Sequence, residues 1–266
     1  MGDLERPKNL DVEKTFNQFV IEQGGKLVVQ LLSKIETLNA DYSFETPDVI
    51  AELKCFQKDI FGSEDDIERF GLLVSKWVTK GYIKKEDEFK TLLGANELPI
   101  ECKRELIERA TKTIDSVIYK ADKQIIETKK ILGRPQAYGL LLLANNGNYF
   151  FQNAQFLSVI CDLMQRKYLN SSIDGFVFFT INQTTRIPGS DLDWNIWIPS
   201  YRGDSDDMTL SNFVDTLGYQ FQNVFLPKVT GVQLSERITG SIKDNSEKIR
   251  EMEYIPKRII YKNKKG

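Results

Sequence analysis

The chain has 266 residues, of which 41% are hydrophobic and 28% charged, a balance that supplies a folded core and excludes wholesale disorder. Its formal net charge is −2, so it is no polycation, and a nucleic-acid partner needs a local basic face. It contains no histidine, which excludes Ser-His-Asp, Cys-His and His-ligated zinc chemistry and leaves acid–base work to carboxylates, Lys, Tyr, Cys or metal-activated water.

No apolar run approaches the roughly 20 residues of a membrane span. The opening MGDLERPKNLDVEK lacks the apolar core of a signal peptide. A cytoplasmic protein without a membrane partner is the expectation. Cys55, Cys102 and Cys161 are far apart and odd in number, which argues against a disulfide framework or a zinc cluster. Each reads as a small buried hydrophobe.

Residues 11–38 read as two helical pieces broken at Gly24-Gly25. Phe16, Phe19 and Val20 form one apolar face; Leu27, Val28, Leu31, Leu32 and Ile35 form another. The period then becomes that of strands through Tyr42, Phe44, Val49 and Ile50, with a turn at Thr46-Pro47 or Pro47-Asp48. Ser63-Glu64-Asp65-Asp66 reads as a capped helix start rather than a metal site, followed by Phe70, Leu73, Val74 and Trp77 and a stop near Gly81. Residues 99–132 carry a long amphipathic pattern through Leu106, Ala110, Ile114, Val117, Ile118, Ala121 and Ile125; its polar side is a solvated face or, alternatively, one turned toward nucleic acid.

Beyond Gly133-Arg134-Pro135, Tyr138–Ala144 is an apolar strand, Asn145-Asn146-Gly147 a turn, Phe156–Tyr168 a helix and Ser172–Ile181 a second apolar strand. Two strands apolar on both faces with a helix between them predict a βαβ unit in a covered sheet. Trp194–Pro199 is a further strand. Gly203–Asp207 is an acidic loop or cap, without calcium-loop spacing, before a helix with Leu210, Phe213, Val214, Leu217 and Phe221. The end is basic through Lys257, Arg258, Lys262, Lys264 and Lys265, either a solvated tail or a phosphate-contacting arm.

The stretch NADYSFETPDVIAELKCF, residues 39–56, places Asp41, Glu52 and Lys54 among apolar neighbours. A hairpin turning at Thr46-Pro47 sets Phe44 opposite Val49, Tyr42 opposite Ala51 and Asp41 opposite Glu52. Facing residues share one side of a sheet, and alternation puts Lys54 there too. A slip of one residue in either strand would undo this. Two close carboxylates repel and resist desolvation, and a divalent cation offsets both costs. Asp41, Glu52 and the Leu53 carbonyl are the expected ligands, with Mg²⁺ or Mn²⁺ matching an all-oxygen set. Lys54 would hold a phosphate oxygen or position and deprotonate a water molecule. The plainer alternative is an exposed strand face on which Glu52 and Lys54 form a solvated pair.

Asp41, ten residues, then Glu52-Leu53-Lys54 on an apolar strand resembles the PD-(D/E)xK nuclease superfamily, as does the order helix, acid-bearing hairpin, helix, then further strands around a helix. The proline that precedes the family's first acid is absent, since Ala40 stands there. A literal Pro47-Asp48 occurs, but four residues of strand span about 13 Å, too far for Asp48 to share a cation with Glu52.

The resemblance implies an α/β, restriction-endonuclease-like mixed sheet flanked by helices. It also implies a single nuclease-like domain over residues 1–266, with a helical insertion at about 60–132 and a basic tail at about 255–266. The activity implied is metal-dependent hydrolysis of phosphodiesters, in DNA before RNA. Glu22 or Glu36, on the preceding helical segment, would add a ligand, and Gln57 matches a polar residue found past the motif. A homodimer or an activating partner subunit stays open. The alternative is a non-catalytic, nuclease-like module that binds nucleic acid or a protein. No Walker A motif and no G-x-G-x-x-G after a strand is present, so nucleotide-dependent chemistry has no support.

Overall fold

The computed structural model describes residues 10–32, 39–56, 64–146, 153–182, 185–186, 193–202 and 207–230. In chain order these form α1 (Val12–Glu22), β1 (Lys26–Leu27), α2 (Val28–Leu31), β2 (Tyr42–Phe44), β3 (Val49–Phe56) and α3 (Glu64–Thr79). A 3₁₀ turn (Lys85–Asp87), α4 (Glu88–Leu92), α5 (Ile100–Ile131), β4 (Tyr138–Asn145), α6 (Asn153–Arg166) and β5 (Gly175–Thr180) follow. Next come β6 (Thr185–Arg186), β7 (Asp193–Trp194), β8 (Trp197–Tyr201) and α7 (Thr209–Tyr219), which runs through a π-helical stretch (Gln220–Phe225) into α8 (Leu226–Thr230). No described helix is long and apolar enough to cross a membrane.

The chain divides into two units. The first comprises the described residues of Met1–Gln57, Val117–Asn148 and Tyr168–Ser241, and the second those of Lys58–Ser116 and Tyr149–Lys167. The helical insertion expected at 60–132 therefore falls in both, because α5 contributes its last turns, from Val117, to the first unit.

The first unit is α/β, built on a six-stranded mixed sheet of order β1-β2-β3-β4-β5-β8. The three central strands run parallel, and antiparallel neighbours flank them. β6 and β7 form a separate small ribbon. The parallel pairing of β4 with β5, joined in sequence by α6, is the βαβ order read from the two apolar runs.

Alternation sorts the central strands cleanly. Val49, Ala51, Leu53, Leu140, Leu142, Ala144, Val177 and Phe179 face a core with Phe16, Phe19 and Val20 of α1 and Val214, Leu217 and Phe221 of the C-terminal helix. Ile50, Glu52 and Lys54 take the opposite face, on which Lys54 meets Gln124 of α5.

Gly139, also on that face, shows how closely the elements approach: a Cβ there would lie 1.9 Å from the Ser172 carbonyl oxygen and 3.0 Å from Ile125 Cγ2. Gly139→Ala is expected to cost about 3 kcal/mol, because the obstructing atom is backbone and cannot rotate away. Gly71, inside α3, has nothing within 4 Å of its would-be Cβ, and Gly71→Ala should stabilise by about 0.5–1 kcal/mol. Urea midpoints of the two variants, moving in opposite directions, check both.

The second unit has its own core of Phe70, Leu73, Val74, Trp77, Ile83, Cys102 and Leu106. It joins α3 to the first turns of α5, where Trp77 Nε1 donates to Glu105 Oε2 at 3.0 Å. Lys76 and Arg109 also bind Glu105, and these cations with the indole hold its carboxyl at about 2 despite burial.

Several expectations need correction. Residues 26–31 are not a second full helix. Gly24, at φ +78°, ends α1; Lys26 and Leu27 then join the sheet edge opposite Ser43 and Tyr42, leaving one helical turn at Val28–Leu31. β5 begins at Gly175 rather than Ser172, because Ser172 is bound by side chains, its N–H by Asp122 and its carbonyl by Lys129. α6 spans Asn153–Arg166, shifted toward the N-terminus of the expected 156–168. Cys102 is buried as expected, whereas Cys55 and Cys161 are half-buried. Asp207, the end of the acidic loop, accepts from Thr209 N, the first residue of α7, at 2.9 Å. Ser63, Gly147 and residues 203–206 lie outside the described residues.

Candidate active site at the hairpin end

The hairpin has the register expected from the sequence: Phe44 opposite Val49, Ser43 opposite Ile50 and Tyr42 opposite Ala51. Arg134, just past α5, clamps it, donating from Nε to Asp48 Oδ1 at 2.7 Å and binding Ser43 Oγ and the Phe44 carbonyl. Asp48 is thus the partner of Arg134 and takes no part in the acidic pair.

Regular pairing of β2 stops at Tyr42, and the next residue changes the bonding pattern. Asp41 uses its carboxylate in place of backbone: Oδ2 accepts from the Leu53 N–H at 2.8 Å, while its own carbonyl accepts from Val28 N at 2.9 Å. In a strand the N–H and C=O of one residue point to the same side, so the Leu53 carbonyl points to the same edge of β3 as the N–H that Asp41 binds. The two residues before Asp41 are tied to α5. Ala40 N donates to Thr128 Oγ1 at 2.7 Å, and Gln124 Nε2 donates to the Asn39 carbonyl at 2.8 Å.

Glu52 is 1% exposed. Its Oε1 forms an ion pair with Lys54 Nζ; its Oε2 is buried and accepts from no protein donor among the described residues, and the Glu52 and Asp41 carboxyl groups lie close enough to share a proton. Burial, and then the Asp41 charge, push its carboxyl up to about 8 against the opposing pull of Lys54. Burial also raises Asp41, opposed by the Leu53 N–H and Lys54. Lys54, with its side chain 24% exposed, donates to Gln124 Oε1 at 2.7 Å. The three charged residues singled out in the sequence therefore converge, and the solvated-pair alternative fails on Glu52, which water does not reach.

Of the remaining candidates, Glu22 does not join them. Glu22 accepts from Gln18 at 3.1 Å and pairs with Lys228 at 3.1 Å. The α1 acid whose charge reaches this part of the sheet is Glu13: together with burial, Asp41 and Asp11 it raises the Cys55 thiol to about 12, which removes that thiol as a nucleophile. Glu36, Gln57 and the tail residues Lys257, Arg258, Lys262, Lys264 and Lys265 lie outside the described residues. Sequence reasoning missed Gln124. The strand period gives Asp41, Glu52 and Lys54, but it carries no sign of a helix residue 70 positions from Lys54 that bonds to it.

The donor set suits a hard cation. Asp41 and Glu52 supply carboxylate oxygens, and Glu52 Oε2, which accepts from no protein donor among the described residues, needs a cation or a proton. Among the described residues no group of three or more His, Cys, Asp or Glu gathers as a metal cluster. The remaining positions around a cation would fall to water and substrate, which matches the reluctance of Mg²⁺ to shed its hydration shell. Compared with protein-family models, with curated proteins and with solved structures, the chain finds no match in any of the three.

Proposed function

We propose that the chain is a divalent-cation-dependent nuclease of the PD-(D/E)xK kind, with a restriction-endonuclease-like sheet and with DNA as the substrate to test first. The observation that carries this reading is the state of Glu52: a carboxyl group 1% exposed, one oxygen on Lys54, the other accepting from no protein donor and set beside the Asp41 carboxyl, with which it can share a proton. Burying such a pair costs several kcal/mol, and a chain selected for stability alone would place apolar residues there. Strongly shifted acids grouped with a lysine mark sites kept for function.

Asp41, Glu52 and the Leu53 carbonyl are the residues that would hold Mg²⁺ or Mn²⁺. When bound, the cation supplies Lewis-acid activation of a phosphoryl oxygen and a lowered pKa for water. Lys54 supplies an ammonium directed by Glu52 and Gln124, able to orient the attacking water and to stabilise charge building on the phosphoryl group. Asp41 fixes the open end of the hairpin through Leu53, so ligand and scaffold are the same residue.

The second reading, a non-catalytic module that binds nucleic acid or a protein, is favoured by one observation: among the described residues no third carboxylate joins Asp41 and Glu52. Incubating the protein with supercoiled plasmid and with single-stranded DNA, in Mg²⁺, Mn²⁺ or chelator, separates the two. The nuclease reading expects cleavage products with a cation and none with chelator. Intact DNA under every condition, with the protein folded, favours the module.

A further inference from the structure

Gln124 lies on α5, 70 residues from Lys54 and 85 from Asn39, yet its amide joins them. Its orientation is fixed by chemistry: an ammonium can only donate and a backbone carbonyl can only accept. Oε1 must therefore face Lys54 Nζ, at 2.7 Å, and Nε2 the Asn39 carbonyl, at 2.8 Å. One turn further along, Thr128 Oγ1 takes the N–H of Ala40 at 2.7 Å. The same helical turn thus holds the segment that presents Asp41 and the tip of Lys54. Lys54 has three N–H groups; one is directed at Glu52 Oε1 and one at Gln124, and the third has no acceptor among the described residues.

We propose that Gln124 is a positioning residue for Lys54. Its amide oxygen fixes the rotation of the ammonium and so aims the third N–H away from the two protein acceptors, toward the place where a phosphate oxygen or the attacking water would sit. This inference rests on the nuclease reading for its role in turnover, but not for its geometry. A lysine held by Glu52 alone can swing about the flexible end of its chain, and every arrangement it visits dilutes the productive one. Two acceptors on different elements, β3 and α5, remove that freedom.

Gln124→Met and Gln124→Glu test the proposal. The methionine keeps volume and loses both bonds; the carboxylate keeps an oxygen for Lys54 and loses the donor to Asn39. With an oligonucleotide at saturating Mn²⁺, Gln124→Met should lower kcat by about 10–100-fold with KM unchanged, and Gln124→Glu should recover most of that loss. A side chain that served only to tie Asn39 in place would make the two variants equally poor, and that outcome, or a wild-type kcat in Gln124→Met, overturns the proposal. A second readout needs no turnover: acetylation of Lys54 by acetic anhydride, followed by mass spectrometry, should be several-fold faster in Gln124→Met than in wild type. An unchanged rate overturns the proposal even if no DNA is cut, whereas a faster rate without cleavage upholds the positioning and counts against the nuclease reading alone.

Discussion

On the proposed nuclease reading, Lys54→Ala is expected to lower cation-dependent cleavage by about 10²–10⁴-fold, the loss typical of removing a positioned proton-transfer or charge-stabilising group. Glu52→Gln and Asp41→Asn should remove it to the level of the reaction without cation, since each would take away a charged oxygen of the proposed cation site. Combining Lys54→Ala with Glu52→Gln costs little more than the worse single change, because groups that act as a unit are not additive. None of these losses is a folding defect. Without Lys54 the buried Glu52, already raised to about 8 by burial and Asp41, holds its proton still more firmly and remains a neutral acid. Single-turnover cleavage of a labelled oligonucleotide, read beside the thermal unfolding of each variant, provides the check. Wild-type rates in all three single variants would remove Asp41, Glu52 and Lys54 from the chemistry.

The second large effect is on stability and has the opposite sign to the effect on activity. Glu52 has a folded-state pKa raised from 4.5 to about 8. Below pH 4.5 both folded and unfolded chains hold the proton, and its contribution is fully present. As pH rises toward 8 the unfolded chain has already released the proton while the folded chain retains it, so stability falls across that window, by about 5 kcal/mol at most. Asp41, raised in the same direction by burial, adds to the fall. Glu52→Gln removes the titration and keeps an amide oxygen for Lys54. The variant should therefore match wild type near pH 4.5 and exceed it by several kcal/mol at pH 8.5. Acids with lowered values, such as Glu105, act oppositely but equally in both proteins, so the difference between the two curves isolates Glu52. Urea unfolding from pH 4.5 to 9 measures it; parallel curves would mean that Glu52 ionises in the fold as easily as in water. A gain in stability with a loss of activity at one residue is the trade-off expected of a functional acid kept in a hostile place.

The hairpin was legible because a turn at Thr46-Pro47 pairs Phe44 with Val49 and Tyr42 with Ala51, and continuing that register sets Asp41 toward Glu52. The long α5 and the β4–β5 pair were legible because many apolar residues agree on one period. Lys26–Leu27 was not. Two residues carry no period, and their strand state comes from Ser43 and Tyr42, which offer a free edge once Gly24 has ended α1. The beginning of β5 was hidden likewise: Ser172 is held by Asp122 and Lys129 from α5, partners 50 and 43 residues away. Gln124 belongs to the same class. A polar residue on a half-buried helix face looks like solvent contact until the sheet beneath it is in place.

The central claim is that Asp41 and Glu52 meet to hold a divalent cation. Calorimetric titration of the wild-type protein with Mn²⁺ at pH 8, repeated in buffers of different ionisation enthalpy, tests it most directly. One saturable site with release of protons is predicted, because Glu52 must give up the proton that burial makes it keep, and both signals should vanish in Asp41→Asn and in Glu52→Gln. A folded wild-type protein that binds no Mn²⁺, or variants that bind it undiminished, would contradict the account.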